Sequence, residues 1–156
     1  IDRYDWLLWV DADTYVVNSN VKLEDFVDNN YHMVIQCDYE DAAFMERSAL
    51  PAKEHRAINA GVVFCRNSNP LKDLLDQWWD TRLREDCHSA ENGQWEQLGL
   101  KQLIGEKGEK EPNVVKTILD HTTGFNVVPE IADENTFMIH ARKFHRDFTM
   151  VKHMFF

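Results

Sequence analysis

Apolar positions along the chain fall in short, dense runs separated by polar stretches. Residues 6–10 (WLLWV) and 14–17 (TYVV) combine high β propensity with near-continuous hydrophobicity, which predicts two buried strands interrupted at Asp11–Asp13. In 21–29 (VKLEDFVDN), Val21, Leu23, Phe26 and Val27 follow the spacing of a short amphipathic helix. The run 32–37 (HMVIQC) predicts a strand ending on Asp38, and 39–57, polar and holding Pro51, a loop. A further strand is expected over 58–67 (INAGVVFCRN), entered through Asn59-Ala60-Gly61.

The clearest helix covers 69–85, with Asn69 as its cap and Pro70 in its first turn. Leu71, Leu74, Leu75, Trp78 and Trp79 form its expected buried stripe. A second helix is expected over 91–104 with Trp95, Leu98 and Leu103 inward, followed by a solvated loop over 105–113. Residues 114–121 suit either helix or strand, while 124–129 (GFNVVP) and 136–141 (TFMIHA) predict short strands before a basic, aromatic tail. Strands alternating with helices imply an α/β fold with a mainly parallel sheet, as a single domain over 1–156.

Composition narrows the partners. At 44% hydrophobic residues the 156-residue chain can bury a real core. Its net charge of −10 argues against nucleic acid or an anionic membrane surface as the main partner, and an anionic substrate needs a local cation. Cys37, Cys65 and Cys87 cannot all pair with one another, and none has zinc-ligand spacing. No apolar run reaches the roughly 18 residues of a membrane span. The chain opens at Ile1 just before its first strand. It is therefore expected to be a piece of a longer protein, with any signal peptide or anchor upstream.

The chemistry concentrates at Asp11 and Asp13. Two like charges at the end of an apolar strand are costly unless a cation compensates for them. On an extended backbone, residues two apart point the same way, roughly 6.5–7 Å from each other. Open α/β sheets gather ligands at the carboxyl ends of strands. Hard divalent cations such as Mn²⁺ or Mg²⁺ take oxygen donors and commonly share a substrate phosphate, so the pair suits a metal–diphosphate. Trp6 and Trp9 beside it are expected in the core. The stretch WVDADTYVV also resembles haloacid-dehalogenase-type phosphatases, in which the first Asp is a nucleophile and the second a general acid. Such enzymes need a later strand-ending acidic pair, whereas Asp133-Glu134 lies in the polar stretch ADEN.

A second motif is more specific. WLLWVDADTYVVN followed by INAGVVFCRNSNPLKDLLDQWW (58–79) resembles retaining, metal-dependent glycosyltransferases of the GT-A fold, above all glycosyltransferase family 34. Asp11/Asp13, Asn18, Asn59-Ala60-Gly61, Arg66-Asn67-Ser68 and Leu75…Trp78 occur in that family's order. Family 8 retaining transferases share part of the pattern. The resemblance implies a nucleotide-diphosphate sugar as donor, a glycan or other hydroxyl acceptor, and a Golgi-luminal setting anchored by upstream sequence in a eukaryotic source. It also implies that the strands for base and ribose recognition precede this segment. Asn59, Ala60 and Gly61 would then line the donor: Asn59 has a donor and an acceptor for hydroxyls, and Gly61 permits close approach. A C-terminal histidine completes the metal shell in such enzymes, and His140, ending FMIH, is the choice over His121, His145 and His153. Where the family continues His-Phe-Ala-Gly this chain has HARKFHR, whose Lys143 and Arg146, with Arg142, would neutralise the leaving diphosphate. Asp38 and Gln94 are assigned to the donor sugar or acceptor.

Overall fold

The computed structural model describes residues 3–36, 58–81, 95–108, 113–118 and 124–141. The described strands are β1 (Trp6–Val10), β2 (Thr14–Val16), β3 (Met33–Gln36), β4 (Asn59–Arg66), β5 (Val115–Ile118) and β6 (Met138–His140). Helices α1 (Asn69–Asp80) and α2 (Trp95–Gly108) accompany them. One sheet has the order β1-β4-β3-β5, and β2 and β6 form a separate two-stranded sheet.

The expected mainly parallel sheet is corrected here to a mixed one. β4 runs antiparallel to both β1 and β3, β2 runs antiparallel to β6, and β3 with β5 is parallel. The apolar runs that read as parallel strands have another cause. Met33, Ile35 and Val63 pack against Leu71, Leu74, Leu100 and Leu103 of the helices. Their neighbours Val34, Val62 and Phe64 turn to the other face, against Phe125, Phe137 and Met138. Both faces of β3 and β4 are therefore buried, and strand alternation is hidden whatever the strand direction.

Antiparallel pairing matters for function. Because Val10 lies opposite Val62, the end of β1 meets the beginning of β4. The aspartates that follow β1 thus lie beside the Asn-Ala-Gly that opens β4. Two parallel strands would have held these segments at opposite ends.

Other differences are local. Ser68 caps α1, its Oγ accepting from Leu71 N at 3.4 Å, one residue before the expected Asn69. Leu71 and Leu74 are buried as expected, but Trp79 is 68% exposed, since it follows Trp78 by about 100° around the helix. Trp9 is 63% exposed rather than core, on the strand that ends the sheet order. Residues 21–29 hold only a 3₁₀ turn, Leu23–Asp25, while α2 continues into the expected 105–113 loop. Instead of a strand, 124–129 contributes one isolated bridge between Val127 and Ile139.

Candidate metal centre

β1 ends at Val10, and Asp11 N donates to Gly61 O at 2.7 Å. A tight turn follows, closed by Thr14 N donating to Asp11 O at 3.1 Å, before β2 begins. Asp11-Ala12-Asp13 is thus a turn rather than the extended segment the spacing predicts. β2 then pairs with β6 so that Thr14 faces His140, and Ala141 N donates to Asp13 O at 2.9 Å. His140 N donates to Val127 O at 2.9 Å. The histidine backbone is held from both sides.

The side chains converge. His140 Nε2 lies 3.2 Å from Asp13 Oδ1 and 3.7 Å from Asp11 Oδ2, and one ligand atom from each residue falls within 4.8 Å of the others. Neighbouring ligand atoms on an octahedral ion with bonds of about 2.1 Å are about 3 Å apart, close to the 3.2 Å between His140 Nε2 and Asp13 Oδ1. Two carboxylates with one imidazole make a mixed oxygen and nitrogen donor set of a kind that divalent metals take. Burial is graded: the His140 side chain is 8% exposed, those of Asp13 and Asp11 31% and 43%. The ring forms the floor, and the carboxylates open outward. Trp9 Nε1 donates to Asp11 Oδ1 at 3.3 Å, so the exposed indole steadies the outer carboxylate. Among the described residues, this is the cluster of acidic, histidine or cysteine side chains with metal-holding geometry.

Asn59, Ala60 and Gly61 form the wall beneath the imidazole. The β3–β4 register breaks here, from Ile35 opposite Val63 to Gln36 opposite Asn59. The displaced N–H groups are taken up by amides: Ala60 N donates to Gln97 Oε1 at 3.0 Å, and Gly61 N to Asn59 Oδ1 at 2.9 Å. Gly61 does serve a close approach, and the group that comes close is His140. A Cβ at Gly61 would lie 2.2 Å from the ring's Cε1. Arg66 and Asn67 are at the far end of β4, where Arg66 Nη1 donates to Asn29 O at 2.6 Å and Asn67 N to Asp5 O at 2.8 Å. Asn18 bridges loops, its Nδ2 donating to Glu134 O at 3.0 Å. Asp38, Gln94, Arg142, Lys143, Arg146, His121, His145 and His153 lie outside the described residues.

Asn126 is the residue the sequence pattern does not single out. It is buried, and its Oδ1 lies 3.1 Å from His140 Nδ1. The available signal was an amide inside the apolar run GFNVVP, since a buried amide needs partners. Gln36, ending MVIQ, carries the same signal and accepts from Asn126 N at 2.9 Å.

A family model described as the galactosyl transferase GMA12/MNN10 family matches residues 3–124. A search of curated proteins finds no match.

Proposed function

The chain belongs to the galactosyl transferase GMA12/MNN10 family and is a glycosyltransferase, and we propose that it carries out metal-dependent, retaining transfer of a hexose or pentose. The donor is a nucleotide-diphosphate sugar, and the acceptor a glycan or other hydroxyl compound. In this reading the chain works as an α/β catalytic domain of GT-A type. The observation that carries it is the meeting of Asp11, Asp13 and His140, brought from opposite ends of the sequence to one cluster.

Asp13 and His140 would hold the ion from the floor of the site, with Asp11 at its open side. When bound, a Mn²⁺ or Mg²⁺ ion supplies positive charge to the departing diphosphate. The exposed edges of the two carboxylates set the side from which a diphosphate enters, and the buried imidazole closes the other. Lys143 and Arg146 supply further positive charge in this reading, while Asp38 and Gln94 face the sugar or acceptor. Retention follows from the resemblance to retaining transferases, with the acceptor hydroxyl attacking from the face the diphosphate leaves.

The test is a Mn²⁺ titration by calorimetry together with donor turnover, on the parent and on Asp13→Ala and His140→Ala. Both variants should lose Mn²⁺ binding and metal-dependent transfer while keeping the parent's circular dichroism. Parent-like activity in both would end the proposal.

A further inference from the structure

We infer that Asn126 is the positioning residue that keeps a proton of His140 on Nδ1, so that Nε2 is the ring nitrogen left to bind the ion that Asp11 and Asp13 would share. The inference rests on the metal reading above, and its basis is the wiring of one buried amide. Asn126 Nδ2 donates to Asn59 O at 3.1 Å, and this bond fixes which end of the amide faces the ring. Oδ1 must therefore be the end at 3.1 Å from Nδ1, and a carbonyl oxygen can only accept. The hydrogen on that side belongs to the imidazole.

The amide is itself held. Asn126 N donates to Gln36 Oε1 at 2.9 Å. Gln36 reaches that position because residue 124 is glycine: a Cβ there would lie 2.0 Å from both Gln36 amide atoms. Asn126 is 4% exposed, Gln36 fully buried, and His140 6% exposed, so water is a poor substitute for any of these partners.

Without Asn126, the ring would choose otherwise. Asp13 Oδ1 lies 3.2 Å from Nε2 and would attract a proton there. A neutral imidazole facing a carboxylate on one side and a hydrocarbon on the other places its hydrogen on Nε2, where the metal bond has to form. An acceptor opposite Nδ1 removes that competition, as outer partners of ligating histidines do.

The experiment uses ¹⁵N-histidine-labelled protein, with the His140 signal assigned from its absence in His140→Gln. In the metal-free parent, Nδ1 should resonate as a protonated ring nitrogen. A bare Nδ1 overturns the inference without any variant having to fold. Asn126→Leu should shift the proton to Nε2 and weaken Mn²⁺ binding about 10–100-fold. Asn126→Asp keeps an acceptor opposite Nδ1 while losing the donor to Asn59 O, so it should retain the protonated Nδ1 whatever its affinity. A bare Nδ1 in the Asp variant, or unchanged Mn²⁺ affinity in the Leu variant, would also overturn it. Should the parent itself not bind Mn²⁺, the metal reading falls, and the nitrogen spectra still decide what Asn126 does.

Discussion

Replacing Gly61 by alanine is the sharpest probe of how the site is built. The added Cβ would lie 2.2 Å from His140 Cε1, 2.4 Å from Nδ1 and 3.0 Å from Nε2. Carbon atoms in contact sit about 3.5–4.0 Å apart, so ring and strand must separate by more than about 1 Å. Neither yields easily. Asn126 stands at Nδ1, and the His140 backbone is tied to Val127 and paired with Thr14. The strand is tied through Gly61 O to Asp11 N and through Ala60 N to Gln97. Overpacking of this kind costs about 1–3 kcal/mol. At about 2–4 °C per kcal/mol for a chain of this size, melting should fall by about 2–12 °C. Metal sites tolerate about 0.2 Å in ligand distance, so the same displacement should remove His140 from coordination and with it Mn²⁺ affinity. A double-mutant cycle identifies the cause. With His140→Ala in place the ring is gone, and the cost of Gly61→Ala should shrink by about 0.5–3 kcal/mol. An equal cost in both backgrounds, or parent-like melting and Mn²⁺ affinity in the single variant, would refute the packing argument.

Three further outcomes follow from the core. Burial pushes the Cys65 thiol up to about 11 from an ordinary 9.0, so at pH 9.0 its thiolate fraction is about 1 in 100, against half in the unfolded chain. Iodoacetamide at that pH, read by peptide mapping, should label Cys65 about 50-fold more slowly in native than in denatured protein. The sign for stability follows: the folded state holds the proton more tightly, so this contribution is lost as pH rises from 9.0 towards about 11, and Cys65→Val should flatten the decline. Equal labelling in the two states would contradict the burial. Phe125 is fully buried, its ring centroid 4.8 Å from that of Phe64 and 5.2 Å from that of Phe26. Phe125→Ala should cost about 3–5 kcal/mol by urea denaturation, and a loss below about 1 kcal/mol would show that the aromatic layer is not the core.

Where residues declare their own environment, the chain was legible. The apolar runs marked β1, β3, β4 and β6, and the leucine spacing of 71 and 74 marked α1 and its inward face. Asp11 and Asp13 stood out as carboxylates after an apolar strand, and His140 only through the family resemblance; the structure brings the three side chains together. Strand direction was not legible, since alternation vanishes when helices cover one face of β3 and β4 and phenylalanines the other. Trp9 and Trp79 misled for a related reason: hydrophobicity reports what a residue tolerates, and a sheet edge or the flank of a helix leaves large rings exposed. Asp11-Ala12-Asp13 converges through a turn fixed by Gly61 O and Thr14 N, contacts that depend on the fold rather than on the spacing.

The amides give the deepest reason why the sequence understates the site. Asn59 reads as a group for sugar hydroxyls, yet its Oδ1 is committed to Gly61 N and its carbonyl to Asn126. Gln97 is committed to Ala60 N, and Gln36 to Asn126 N. The bonds to Gly61 N and Ala60 N answer the same problem. β4 must leave its register with β3 at Gln36 to bring Gly61 beneath the imidazole, and a strand that leaves its ladder buries N–H groups with no strand partner. Amide side chains supply those partners without adding charge beside a cluster that already holds two carboxylates. The register break, the glycine and the amides therefore form a single device, whose product is an imidazole fixed in position and orientation. Asn59 reads as a recognition group in the sequence because the backbone donor it serves, Gly61 N, becomes visible only once the strand has left its neighbour.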